Sequence, residues 1–326
     1  MSVVPTGTDA GVVYFIDASY FVFRAYHSMP ADMVDADGNG THALYGFARF
    51  LSDLLERVKP ERVGVAFDVS LRGETGVPAT GVPATGVPAT GVPATPFRNG
   101  IYPAYKANRE SPPADLERQF ALCREFCRHM GVAEFASATY EADDIIGTLS
   151  VRSRAAGLRN VLVTRDKDLS QLIRDGDVFW DYSSNARYHY HDIFPKFGAR
   201  PELIADYLAL TGDSVDNIPG VPGVGKKTAA LLFSMFGSLD ELYENLHRVP
   251  SLEIRGAAAV AARLLEHKEA AYLARRLTRI VCDMPIEASL DDLKRKAPDT
   301  VELARFFDTH GLGNILRQQV RRIAAA

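Results

Sequence analysis

Apolar runs that end on an acidic residue recur along the first two thirds of the chain. Residues 12–16 (VVYFI) lead into Asp17, and residues 62–67 (RVGVAF) lead into Asp68. A third run, 160–164 (NVLVT), is followed by Arg165 and Asp166, and a fourth spans 177–182. Short, near-continuous apolar runs of this kind are the pattern of buried parallel strands. Between them the apolar positions change to helical spacing. Leu44, Phe47, Phe50, Leu51, Leu54 and Leu55 follow Thr41, a candidate N-cap, and precede Pro60. Residues 116–130, closed by Gly131, and 141–156, closed by Gly157, predict two further helices. Strands alternating with helices predict an α/β fold, a mostly parallel twisted sheet with helices on both faces.

From about residue 200 the strand pattern fades and helical spacing dominates, as in 201–210 and the long stretch 256–279. The expected division is a catalytic domain at 10–199 and a smaller helical lobe at 200–326. Residues 76–95 are four copies of GVPAT. A proline every five residues forbids a regular helix, and so short a period cannot build a solenoid, so the repeat reads as a low-complexity insertion. It starts eight residues after Asp68 and would emerge beside any site that residue serves.

Composition narrows the class. With 47% hydrophobic and 24% charged residues, the chain is an ordinary globular protein. No window approaches the roughly 18 apolar residues of a membrane span, and the N-terminus has no basic stretch before an apolar one, so a cytoplasmic protein with no membrane partner is expected. Cys123, Cys127 and Cys282 lack the spacing of a zinc site and are expected to be reduced thiols. The net charge of −4 is unevenly spread: from Asn217 onward 16 Lys and Arg face 13 Asp and Glu, so the acidity lies before it. Trp180 is expected in the core, and His189 and His191 on one face of an exposed strand.

Asp17, Asp68 and Asp166 each fall at or just past the carboxyl end of a predicted parallel strand, the edge where open α/β sheets bind ligands. Asp168 lies two residues beyond Asp166. Glu141, Asp143 and Asp144 open a predicted helix, where the dipole favours negative charge, and Asp213 and Asp216 lie in GDSVDN at the start of the helical lobe. Nine carboxylates gathered at one edge repel by several kcal/mol per pair at about 4 Å unless cations intervene, and hard ions such as Mg²⁺ or Mn²⁺ are the natural counterions. Two such ions at one phosphate predict phosphodiester hydrolysis.

These segments carry a resemblance. FD (67–68), YPAYKANR (102–109), EADDIIGTL (141–149), TRDKDL (164–169) and 212–228 resemble the 5′-3′ exonuclease domain of bacterial DNA polymerase I and the flap-endonuclease superfamily, over most of the chain. The resemblance implies a PIN-like fold, a helical arch over the active site, and DNA with 5′ ends, flaps or branches as substrate, cut by a monomer. It implies one metal position among Asp17, Asp68, Glu141 and Asp143, and a second among Asp144, Asp166, Asp168, Asp213 and Asp216. Lys106 and Arg109, three apart and so on one side of a predicted helix, are expected to contact the scissile phosphate. Arg98, Arg24 and Tyr26 are expected to contact DNA, and Tyr20, Phe21 and Phe23 to be core. Arg165 stands where the family usually has glycine.

Residues 218–228 (IPGVPGVGKKT) nearly fit a phosphate-binding P-loop, but Lys227 stands where Ser or Thr must be and no buried strand precedes it. A helix–hairpin–helix fits better: Gly220, Gly223 and Gly225 let the backbone approach phosphate, and Lys226 and Lys227 add charge. In the resembled family this turn also binds K⁺. A branched-DNA-binding protein whose cutting is impaired by the repeat is the competing expectation, and a 3′-5′ exonuclease or ribonuclease on another acidic scaffold a more distant one.

Overall fold

The computed structural model describes residues 11–68 and 96–325, so the GVPAT insertion lies outside the described residues. Six strands, β1 (Val12–Asp17), β2 (Arg62–Asp68), β3 (Ala133–Ser137), β4 (Arg159–Val163), β5 (Val178–Asp181) and β6 (Ala186–Tyr188), form one sheet in the order β3-β2-β1-β4-β5-β6. All neighbours are parallel except the β5–β6 pair, which is a short antiparallel hairpin. The strand order reverses direction between β1 and β4, which makes their carboxyl ends the topological switch point. The run at 133–137 (AEFAS) gave no strand signal because it is half polar. It pairs with β2 at the sheet edge, where Glu134 is held by Arg124 and Arg128 at 2.7 and 2.8 Å.

Alternation along β1 divides the interior in two. Val12, Tyr14 and Ile16 pack on one face and Val13 and Phe15 on the other. The first face is covered by α1 (Ala18–Ser28), α2 (His42–Val58) and α4 (Ala114–His129). Leu44, Phe47, Leu51, Leu54 and Leu55 of α2 are fully buried there, as their spacing predicts. Thr41 occupies the N-cap position of α2 but makes no side-chain cap bond; the buried Gln119 Oε1 accepts from the Ala43 and Leu44 amides at 2.7 and 3.2 Å instead. A cap delivered from another helix leaves no trace in local sequence.

The opposite face is covered by α5 (Ala142–Ala155), and the same cluster continues into α7 (Ile204–Thr211), α8 (Lys226–Met235), α9 (Leu239–Glu244), α10 (Ala257–Glu266) and α11 (Lys268–Thr278). The helical part and the sheet therefore share one core. The long helical stretch expected at 256–279 forms two helices, which meet at His267. The last helices, α12 (Thr300–His310) and α13 (Gly313–Ala324), depart from the expected lobe. Their apolar stripe of Leu303, Phe307, Leu316 and Val320 returns to the first face of the sheet, and Arg322 and Gln319 bond Glu56 of α2. His189 is the N-cap of α6 (Tyr190–Phe197) rather than part of a strand, while Trp180 is core as expected.

The chain returns from α11 to α12 as a strap laid over α5. Val281 N donates to Asp144 Oδ1 at 2.8 Å, and Arg152 donates to the Ile286 carbonyl at 2.7 Å. Gly147 permits this approach, since a Cβ there would meet Ile280 Cγ2 at 2.6 Å and the Val281 carbonyl at 3.0 Å. Gly147→Ala is therefore expected to destabilise the protein by about 1–3 kcal/mol, read as a lower urea midpoint at unchanged slope. An unaltered midpoint would show that the strap does not bear on α5.

Candidate active site

The polypeptide brings its acids to one place through element ends. Asp17 closes β1 and is also the N-cap of α1, accepting from Thr164 Oγ1 at 2.9 Å. Asp68 closes β2 and accepts from the Ala142 amide at 2.8 Å, so it binds the first turn of α5. Glu141 is the N-cap of α5, and Asp143 lies in its first turn. Asp166 follows β4 and caps a short 3-10 turn, accepting from the Asp168 amide at 2.9 Å. Asp213 and Asp216 sit on the loop between α7 and α8, where a two-way backbone bridge joins Asp213 and Ile218.

Eight of the nine predicted acids, Asp17, Asp68, Glu141, Asp143, Asp166, Asp168, Asp213 and Asp216, line a single cleft of about 550 Å³ at the switch point, together with Lys106 and Arg109. Their environment disfavours charge. Burial, then Asp166 and Asp68, pushes Asp17 up to about 7. Burial and Asp166 push Asp168 up to about 7, with Lys167 opposing. Burial raises Asp143 well above the carboxylate range, reinforced by Asp166, Asp17, Asp68 and Glu141, and burial also raises Asp166. Asp166 thus faces acids of both groups.

Side-chain cations already lie among these carboxylates. Lys106 Nζ is 2.7 Å from Glu141 Oε1, Arg109 pairs with Asp216, and Lys167 Nζ is 2.5 Å from Asp213 Oδ2 and 3.2 Å from Asp168 Oδ1. Burial works to raise Glu141 and Asp213, but Lys106 and Arg98 outweigh it at Glu141, and Lys167 outweighs it at Asp213, so both lie below the usual range. Among the described residues no three acids are drawn into a ready-made ion cage. The donor set nevertheless fits hard divalent cations: all eight acids offer oxygen, and the buried Asp168 Oδ1 has the Lys167 ammonium at 3.2 Å but no well-aligned hydrogen bond.

Asp144 and Arg98 correct the sequence reading. Asp144 is fully buried; its Oδ2 and Oδ1 accept from Arg98 at 2.7 and 2.8 Å, and the Glu141 and Val281 amides take its remaining lone pairs. Arg98, on the short helix α3 (Phe97–Ile101), is 3% exposed and also donates to the Leu277 and Arg279 carbonyls at 2.9 and 3.1 Å. The pair joins α3, α5 and the end of α11, and leaves neither group free for metal or DNA.

The basic segment also departs from expectation. Residues 103–108 form successive turns, with Lys106 at φ 55°, so Lys106 and Arg109 converge through turns and not along a helix. The Lys106 amide donates to the Asp216 carbonyl at 3.0 Å, and Asn217 Nδ2 donates to the Ala104 carbonyl at 2.7 Å. The buried Tyr105 hydroxyl lies 3.1 Å from Glu141 and 3.2 Å from Asp216. Arg24 is exposed and bonds Ser183, and Tyr26 packs on His42; neither lines the cleft, whereas Tyr20 and Phe23 of the same helix do, with Phe23 39% exposed. Tyr20 and Phe23, three apart, share the side of α1 turned to the cleft, and local pattern did not resolve which side that is.

Beside the cleft the loop from α7 to α8 makes a hairpin turn between helices, with no strand before it. Gly220 packs on the backbone at Leu210–Gly212, and Gly223 takes a left-handed φ of 76°, so both are required by the turn. Gly225, the N-cap of α8, has open space around it. Lys226 and Lys227 follow as exposed cations at the positive end of the helix dipole, with no acid in the first turn. That placement is locally unfavourable and suits an anionic ligand.

This fold, with an acid-lined cleft at its switch point and a glycine-rich helical hairpin alongside, defines a nuclease. The chain belongs to the 5′-3′ exonuclease family: that family's N-terminal resolvase-like domain matches residues 12–76 and 87–198, and its C-terminal SAM fold matches 199–301. It is 36% identical over 293 residues to DNA polymerase I of Pseudomonas aeruginosa, covering 90% of this chain and 30% of that protein. It is 34% identical over 311 residues to DNA polymerase I of Streptococcus pneumoniae strain R6, covering 93% and 32%. The chain thus spans about 30% of the length of these curated relatives. Among solved structures it resembles T5 5′-exonuclease bound to divalent metal ions (zinc), at TM-score 0.60 and 17% identity over 96% of this chain and 98% of that one. It also resembles the catalytic core of Rad2 in complex with DNA substrate, at TM-score 0.58 and 14% identity over 96% and 90%. These two likenesses concern the fold.

Adjacent aspartates are expected to respond in opposite directions. Raised carboxylate pKa values mean that the fold holds protons more tightly than the unfolded chain, so the metal-free protein loses stability as pH rises from about 4 to past 7. At pH 8 without divalent ions, Asp143→Asn should raise the melting temperature by a few degrees. Asp144→Asn should lower stability by about 3 kcal/mol, because it leaves buried Arg98 without its carboxylate. Thermal melts with the same sign for both variants would refute this division.

Proposed function

We propose that this nuclease hydrolyses DNA phosphodiester bonds at or near 5′ ends, as a 5′-3′ exonuclease and 5′-flap endonuclease of replication and repair, acting as a monomer with two Mg²⁺ or Mn²⁺ ions. The observation that carries the reading is the convergence of eight carboxylates, several of them raised by burial and mutual repulsion, at the switch point of the sheet. Asp17, Asp68, Glu141 and Asp143 are assigned to one ion, Asp168, Asp213 and Asp216 to the other, and Asp166 to both. Bound there, the ions would activate water and stabilise charge on the leaving oxygen.

The chain's own residues position the substrate. Lys106 and Arg109 reach the cleft from their turns and exchange their carboxylate partners for the scissile phosphate, keeping its charge paired throughout. Phe23 offers an exposed ring beside them. Lys226, Lys227 and the open backbone at Gly225 grip duplex phosphates without reading sequence, and K⁺ at the hairpin carbonyls belongs to the same assignment. Catalysis is thus assigned to the part at 10–199 and duplex binding to the helices that follow, as far as α11.

The test is cleavage of 5′-flap, blunt and single-stranded DNA in Mg²⁺ by the wild type and by Asp166→Asn. The variant should lose nearly all cutting while keeping DNA affinity measured in Ca²⁺; equal activity in both proteins would end the metal assignment. Lys226→Ala with Lys227→Ala should flatten the salt dependence of duplex binding by about two units of slope, one for each phosphate contact. An unchanged slope would remove the hairpin from the interface.

A further inference from the structure

A second concavity adjoins the acidic cleft. It is a groove of about 600 Å³ lined by Phe97, Ile101, Arg276, Arg279, Val281 and Asp283, among others. α3 stands between the two: its Arg98 lines the cleft, while Phe97 and Ile101 line the groove, and Ile280 lines both. Arg276 and Arg279 are exposed, and among the described residues no ion pair or side-chain hydrogen bond engages either guanidinium. The acids Asp240 and Asp206 pair with Arg275, at 2.8 and 3.8 Å, and act on Arg279 only from beyond ion-pair distance. Cations in the last turn of a helix complement its dipole, and Arg275 and Arg276 do so for α11. Arg279 lies past the end of that helix, where its carbonyl accepts from Arg98, so the dipole does not explain a second free guanidinium there.

The floor between the arginines is apolar. Phe97 packs on Tyr140 at 5.5 Å between ring centroids, and the Arg98 guanidinium lies over the Phe97 ring at 4.6 Å, which fixes that ring in place. Two free guanidinium groups above an aromatic and aliphatic surface match a single nucleic-acid strand, whose phosphates take the cations while bases and sugars cover the apolar floor. We propose that the groove binds the single-stranded 5′ segment lying beyond the cut, with Arg276 and Arg279 on its phosphates and Phe97 and Ile101 under its bases. The proposal rests on the nuclease reading, since it takes the strand to leave the cleft past α3. Recognition there is independent of sequence.

The experiment uses the full chain in Mg²⁺ with Arg276→Gln/Arg279→Gln, on duplexes whose 5′ single-stranded arm is about one or about twelve nucleotides long. KM for the long arm should rise about tenfold, and the short arm should be unaffected, with kcat unchanged on both. In Ca²⁺, the salt dependence of binding to a single-stranded oligonucleotide should flatten by about 1.4 units of slope, about 0.7 for each phosphate. Arg279→Glu alone should likewise raise KM for the long arm and leave the short arm unaffected. A loss equal on both arms, or no loss on either together with an unchanged slope, overturns the groove assignment. Wild-type protein that cuts neither substrate overturns the nuclease reading instead, and the oligonucleotide slope then still decides whether the groove binds a strand.

Discussion

Like charges forced together at the carboxyl edge of a parallel sheet are the constraint around which this structure is organised. Nothing about carboxylates favours such a gathering, so the backbone imposes it. β1 and β2 end on Asp17 and Asp68, and the register that sets Asp17 opposite Ala66 leaves no freedom to move one without the other. Three helical starts share the burden: α1 is capped by Asp17, α5 by Glu141 and the 3-10 turn after β4 by Asp166. Each places negative charge at the positive end of a dipole, worth some tenths of a kcal/mol per site. What remains uncompensated is visible in carboxyl groups that hold their protons near neutrality.

Asp143 and Asp144 are neighbours in sequence, yet the helix turns one toward the cleft and the other into the protein. Asp143 has poor solvation and acidic company. Asp144 has a bidentate guanidinium and two backbone amides, and so works as structure. Its partner Arg98 also satisfies carbonyls at the end of α11, so one ion pair ties the first turn of α5 to the helices that carry the hairpin. The two halves of the acidic set come from different parts of the chain, and this pair, with Lys167 bridging Asp168 and Asp213, holds them in register.

Most of this was legible from residue order. Strand-terminal acids betray themselves because a buried parallel strand is apolar until it leaves the sheet, and the first polar residue then marks the edge. The glycine-rich turn was legible because backbone that approaches closely tolerates little else. Other features depend on partners distant in sequence. No pattern near Thr41 reveals that Gln119 caps α2, and no pattern near Asp144 reveals Arg98. The phase of α1, which turns Phe23 to the cleft and Tyr26 toward His42, depends on how the helix seats against α2. The apolar stripes of α12 and α13 predict helices without saying which surface they cover, and that surface lies far back along the chain.

Asp68 and Phe97, which stand before and after the segment that holds the GVPAT repeat, are fastened to the folded body. On one side the Asp68 amide donates to Ser19 and its carboxylate accepts from Ala142; on the other, the Phe97 amide donates to the Thr139 carbonyl and Arg98 is locked in its ion pair. Flanks held this firmly fix Asp68 and Arg98 through contacts with the folded body alone. The geometry of the acids is thus set by residues on either side of the pentapeptides and not by how many pentapeptides there are.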